Sequence, residues 1–208
     1  TPLYSSAASD VYKRQDPNKS KLKQLFLPVL KEELTNQPSH NLVMTQIKRI
    51  KTEYNPGYTP QVNPREINLF YLTEKGRYRI EKQGEEFLLH GTEQRFSSES
   101  FITLLEKHPD RFSPNVILRP LYQESILPNL CYIGGGGELA YWFELKSNFE
   151  HFDIPFPILL LRNSALIFSK KQRNKIKNLE LKVSDLFLKR NSLAVSYTHL
   201  TLPTNREV

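Results

Sequence analysis

RPLYQESILPNLCYIGGGGELAYW, residues 119–142, decides how this chain is read. The stretch joins an arginine-led helix, a short apolar strand and four consecutive glycines that open a second helix. Backbone amides that no side chain crowds, at a helix N-terminus where the first N–H groups lack intrahelical acceptors, form a site for an anion. Working outward, VIL at 116–118, LCYI at 130–133 and ILLL at 158–161 predict three short strands. A short helix begun by Pro120 and a longer one from 137 to about 149 lie between them. The alternation β, α, β, α, β predicts an α/β fold, half of a parallel sheet flanked by helices. Ligands in such sheets lie at the carboxyl ends of the strands. Each of the three ends in a chemically loaded residue: Arg119, then the run Gly134, Gly135, Gly136 and Gly137, then Arg162 followed by Asn163 and Ser164.

Every candidate has a structural alternative. The Arg119 guanidinium suits a phosphate or carboxylate, or it braces a loop by pairing with Glu124. The glycines cradle an anion, or they satisfy a tight turn. They match neither GxxxxGK[ST] nor GxGxxG, because Leu139 stands where the third glycine of the latter belongs, so no P-loop or dinucleotide fingerprint is present. Glu124 and Glu138 are the carboxylates nearest the crevice and could orient an amine or act as general base, yet an acid in a first helical turn is favoured by the macrodipole alone. Tyr132, Tyr141 and Trp142 could stack on a purine or sugar, or they belong to the core. Lys146 is expected to face solvent.

Upstream, Leu22, Leu25, Phe26, Val29, Leu30 and Leu34 recur at helical spacing, in a helix that Pro28 should kink. A second helix is expected over about 39–53, with Ser39 as N-cap and Leu42, Val43, Ile47 and Ile50 on its buried side. Residues 55–63 are turn material. INLFYL at 67–72 reads as a buried strand, and YRIEK with EEFLLH as a hairpin about Gln83 and Gly84. Phe96 and Phe101 should staple a helix capped at Ser97 and ended by Pro109.

Composition narrows the function classes. The single cysteine, Cys131, excludes an internal disulfide framework and a multi-cysteine metal site, and no metal is expected. Neither a bilayer-long apolar run nor a secretory leader is found, which predicts a soluble cytoplasmic protein with no membrane partner. The formal charge of +7 invites a nucleic-acid reading. Much of the excess is Lys170, Lys171, Arg173, Lys175 and Lys177 on one expected helix, a pattern typical of a solvated face. With no zinc-finger spacing, RNP-like strand or KH-type glycine clamp, no nucleic-acid partner is expected.

QVNPREINLFYL, SPNVILRPLYQESILPN, YIGGGGELAYW and PFPILLLRNSAL closely resemble the bacillithiol biosynthesis cysteine-adding enzymes, the BshC family of cysteine ligases. The resemblance covers nearly all of residues 16–194. It implies a Rossmann-like, nucleotidyltransferase-like parallel sheet, with inserted helical and hairpin connecting segments and a C-terminal coiled coil for homodimerisation. It also implies ATP-dependent joining of L-cysteine to glucosaminyl malate, with Mg2+ supplied alongside the nucleotide. The family usually has alanine where Cys131 stands, so cysteine arrives as substrate. On this reading Arg119, Glu124 and Glu138 are catalytic candidates, while Tyr132, the four glycines, Arg162, Asn163 and Ser164 bind nucleotide or substrate.

Residues 1–15 and 195–208 look like translated sequencing-adapter sequence, which leaves 16–168 as core with connecting segments and 169–194 as the root of the coiled coil. Ile176, Leu179, Val183 and Leu186 fall at a and d spacing over two heptads. The piece alone is expected to be inactive. The rival reading is a noncatalytic nucleotide or small-anion-binding module.

Overall fold

The computed structural model describes residues 18–189 and 191–193; one unit runs up to Arg162 and a second begins at Asn163. The adapter-like ends lie outside the described residues, save that the expected core begins at their margin.

In the first unit the helix expected to kink at Pro28 is two helices. α1, Ser20–Leu25, stops at Phe26, and α2, Leu27–Asn36, starts beyond it. Pro28 thereby sits in the first turn of α2, where its missing N–H costs nothing. The expected cap also shifts. Gln37, at φ 48, is the N-cap of α3, Pro38–Arg49, and Ser39 lies buried in its first turn because Pro38 fits the opening helical position better than Ser39 does. A π-helical turn, Ile50–Tyr54, continues α3, and the Asn55 side chain then accepts from the Gly57 amide at 3.0 Å to turn the chain away.

INLFYL supplies β1, Leu69–Thr73, and the expected hairpin is β2, Gly76–Gln83, with β3, Glu86–Leu89. Gly84, at φ +60, makes the reversal. With β4, Arg95–Ser97, and β5, Phe112–Pro114, they form an antiparallel sheet in the order β4-β3-β2-β1-β5. α4, Ser98–Lys107, is capped as its sequence predicts: Ser97 Oγ accepts from the Ser100 amide, and Phe96 packs on Phe101 at 4.9 Å. Phe101 also meets Phe87, Phe112 and Tyr71, and this aromatic cluster fills the space between sheet and helix.

The first strand expected of the parallel set is absent. Residues 116–118 form a turn, because Asn115 Oδ1 accepts from the Ile117 amide at 2.7 Å and the Asn115 carbonyl then receives the Arg119 amide at 2.9 Å. That geometry leads straight into α5, Arg119–Ile126, while Ile117 and Leu118 go to the core as turn residues. Sheet pairing in this segment falls instead to β5, antiparallel to β1.

The other two expected strands pair as read. β6, Cys131–Gly134, and β7, Ile158–Leu161, lie parallel, with Tyr132 opposite Leu159 and Gly134 opposite Leu161. Between them the long helix is divided into α6, Gly136–Glu144, and α7, Lys146–His151, at Leu145. Gln46 of α3 holds that break: its Nε2 donates to the Phe143 carbonyl at 3.2 Å and its Oε1 accepts from Ser147 Oγ at 2.9 Å. Trp142, fully buried, stacks on Tyr132 at 4.4 Å and on Phe149 at 5.7 Å, fastening helix to strand. The fold is α/β and Rossmann-like, with the antiparallel hairpin sheet and leading helices set around the parallel unit.

The second unit contains α8, Lys170–Asn178, opened by a capping box in which Ser169 Oγ and Gln172 Oε1 take each other's backbone amides. Its lysines and Arg173 are all exposed, as a solvated face requires. The helix ends after Asn178, Glu180 takes φ 54, and residues Val183–Phe187 form a 3-10 turn. Of the four residues at a and d spacing, only Ile176 lies within the α-helix.

Candidate functional site

β6 and β7 end level with each other, because the Arg162 amide donates to the Gly134 carbonyl at 2.9 Å. From there Gly135, with extended dihedrals, caps α6: its carbonyl receives the Leu139 amide at 2.9 Å, and its own N–H donates to Glu138 Oε2 at 2.6 Å. The amides of Gly136, Gly137 and Glu138 occupy the first turn and have no intrahelical acceptor.

The glycines serve different ends. A Cβ on Gly134 would come within 2.8 Å of the Tyr132 ring, so packing excludes it. On Gly135 it would meet the Arg162 guanidinium at 3.1 Å, so the cation lies directly on that residue. At Gly136 it would meet nothing within 4 Å, and at Gly137 only Gln61 Oε1 at 4.0 Å. Among the described residues the Arg162 guanidinium has no hydrogen bond or ion pair, so a free cation stands beside the positive end of α6.

Gly136 opens onto a cleft of about 560 Å3. Leu139, Ala140, Phe143 and Lys146 wall it from the α6 and α7 side, with Leu161 of β7. Gln46, Arg49, Ile50, Tyr54 and Tyr58 close it from the other. Arg49 pairs with Glu53 at 3.0 Å and Lys146 with Glu150 at 3.7 Å, exposed pairs that hold their partners weakly. Tyr58 is fastened: its hydroxyl donates to Glu144 Oε1 at 2.5 Å, and burial together with that carboxylate pushes the phenol well above its ordinary value, so it stays neutral. Apolar and aromatic walls, two exposed cations in weak ion pairs and a helix N-terminus at one end suit a ligand with a flat or apolar part and an anionic group.

The residues singled out from sequence separate into groups. Gly134, Gly135, Gly136, Gly137 and Arg162 come together at the strand ends. Glu138, exposed, is engaged with the Gly135 amide. Arg119 donates to Gln123 Oε1 at 3.1 Å and its charge lies beside the Tyr141 hydroxyl, which itself donates to the Val116 carbonyl. Burial outweighs that charge and pushes the Tyr141 phenol up to about 12. Arg119 is not in the cleft wall, and Glu124 is not its partner: buried, Glu124 accepts from the Asn129 amide at 2.8 Å and from its side chain. Tyr132 and Trp142 stack on each other within the core. Asn163 and Ser164 are exposed residues of the second unit.

Sequence reasoning passed over Arg49, Tyr54, Tyr58 and Glu144; Lys146 is exposed, as expected, and also borders the cleft. One signal was there: YNPGY at 54–58 puts a tyrosine on each side of a tight turn, which brings two aromatic rings to one edge.

Comparison with known proteins agrees with this architecture. The family model described as "Bacillithiol biosynthesis BshC, N-terminal Rossmann-like domain" matches residues 14–163. Relatives that carry the name "Putative cysteine ligase BshC" include one from Flavobacterium johnsoniae, 49% identical over 184 residues, covering 88% of this chain and 34% of the relative. One from Christiangramia forsetii is 50% identical over 173 residues, covering 83% and 32%. A more distant one, from Chlorobaculum tepidum, is 36% identical over 155 residues, covering 73% and 27%. The chain thus spans about a third of the length of these relatives. With a Rossmann-like unit matched over most of its length and strand ends that meet at a glycine-opened helix, the chain belongs to the BshC family.

Proposed function

We propose that the full-length protein is an ATP-dependent ligase that joins L-cysteine to glucosaminyl malate, and that the cleft at the start of α6 holds the anionic part of a substrate. The relatives' printed name supports a cysteine ligase, and the single observation that carries the site is the unpaired Arg162 guanidinium lying on Gly135 beside the open Gly136 amide. In the reaction the cysteine carboxylate attacks the α-phosphorus of ATP and pyrophosphate leaves. The glucosamine amine then adds to the acyl carbonyl, loses a proton, and AMP departs as the amide forms. Negative charge is present on every partner and grows on the phosphorus oxygens. Arg162 and the first-turn amides would bind and orient it without rearrangement. Tyr54, Tyr58 and Phe143 offer surfaces for a ring, and Arg49 and Lys146 offer further cations for phosphate or malate carboxylates. Arg119, Glu124 and Glu138 already have protein partners, so we assign them to holding the site rather than to proton transfer.

The experiment is an assay of the full-length protein with ATP, L-cysteine and glucosaminyl malate, following bacillithiol by thiol-specific mass spectrometry. Arg162→Ala should lower kcat/KM by about 10- to 100-fold, the worth of a charge-assisted hydrogen bond. A folded wild-type protein that yields neither product nor cysteine-dependent ATP consumption contradicts the ligase reading. Anion binding without ligation would move the assignment to a noncatalytic module.

A further inference from the structure

Glu144 is fully buried at the last turn of α6, an expensive position for a carboxylate, since the helix macrodipole there already presents negative charge. An apolar side chain would serve packing alone. Instead Glu144 gathers donors from a segment with no regular secondary structure: Tyr58 hydroxyl at 2.5 Å and the Gln61 amide at 2.7 Å on Oε1, and the Val62 amide at 3.1 Å on Oε2. The Tyr58 hydroxyl also lies 3.2 Å from the Ala140 carbonyl, one turn nearer the helix start. At that start, the Gln61 side-chain oxygen lies beside Gly137. The loop is therefore laid along α6 from its end to its first turn, and Tyr58 becomes a wall of the cleft that Gly136 opens onto.

We propose that Glu144 is a positioning residue of the cleft, which fixes the Tyr58 wall at a set place relative to the glycine amides and so governs substrate affinity. The inference rests on the reading of the cleft as the substrate site. Glu144 touches no ligand itself; its effect passes through Tyr58 and the loop. In Glu144→Gln, one oxygen becomes an NH2 group facing donors, and the loop loses at least one hydrogen bond. Tyr58→Phe keeps the ring and removes only its tether.

The test uses the full-length protein, with KM for each of the three substrates, kcat and thermal melting measured for Glu144→Gln, Tyr58→Phe and the double variant. Expected is a rise of about tenfold in KM for one substrate in Glu144→Gln, with kcat nearly unchanged, the mark of lost ground-state binding. Tyr58→Phe should shift the same KM in the same direction, and the double variant should add little to Glu144→Gln, because both act through one contact. Additive effects, or a folded Glu144→Gln with every KM unchanged, overturn the proposal. If Glu144→Gln fails to fold, an unchanged KM in Tyr58→Phe overturns it alone, and a raised KM supports it. Loss of binding in Arg162→Ala alongside normal Glu144→Gln and Tyr58→Phe sinks this inference and leaves the cleft standing. A wild-type protein with no turnover and no substrate binding removes both.

Discussion

At the residue scale, the adjacent glycines are held to glycine by different neighbours. Gly134 is packed: a methyl group there would press on Tyr132, Glu138 Cβ and Leu139 at 2.8 to 3.3 Å, and the Tyr132 ring cannot withdraw while it is stacked on Trp142. Gly134→Ala should lower stability by about 1–3 kcal/mol, the usual cost of overpacking. Gly136→Ala meets open space, so its melting temperature should equal or slightly exceed wild type, through a less flexible unfolded chain. Thermal melting of the two variants checks the pair; equal losses would show that Gly136 is as enclosed as Gly134. This distinction was not legible in the sequence. GGGG announces a permissive backbone at a helix start, but only the fold shows that Gly134 is packed against a ring, Gly135 lies under a guanidinium and Gly136 faces a cleft.

Among the elements, a buried polar chain ties α2 to β1 and to the turn before α5. Glu33 Oε1 accepts from both the Asn68 amide and side chain at 2.9 Å, and Asn68 Oδ1 accepts from Asn115 Nδ2 at 2.9 Å. Asn115 then sets the turn that replaces the expected strand at 116–118. VIL has strand composition, yet SPN ahead of it and RP behind it leave no room for extended pairing; the error came from weighing three β-branched or apolar letters above their punctuation. The hairpin and the capped α4 were legible because their signals are local: a glycine between alternating runs, and a serine ahead of a stapled helix. Burial pushes the Glu33 carboxyl above its ordinary value of 4.5, against hydrogen bonds from Asn68 and Ser39 that favour the charged form. Its folded-state value being raised, the protonated form is favoured on folding. Its contribution is fully present below about pH 4.5 and is lost as pH rises through the raised value. Denaturant unfolding of wild type and Glu33→Gln across that window should show the decline in wild type and remove Glu33's share of it in the variant. Parallel pH profiles for the two proteins would contradict the assignment.

Across the first unit, the proposed site lies where the parallel strands end; α3, the π-helical turn and the loop after it supply the opposite wall of the cleft, while the antiparallel sheet and the leading helices build the core. The family and the α/β class could be read from long, specific strings in the chain. The glycines and Arg162 meet at the strand ends named from the sequence, but of them only Gly136 borders the cleft, with Arg162 beside its mouth on Gly135; the far wall comes from residues roughly eighty positions earlier, and no local spacing announces such a contact. Charge misleads at this scale, since the basic run on α8 is exposed in the second unit and the cations at the cleft are scattered through the sequence. The most direct measurement is a crystal structure of the full-length protein soaked with an adenine nucleotide and with glucosaminyl malate. Phosphate or carboxylate oxygens should lie within hydrogen-bond distance of the Gly136 and Gly137 amides and the Arg162 guanidinium, with a ring or sugar against Tyr58. Both ligands bound elsewhere, with this cleft filled only by solvent, would contradict it.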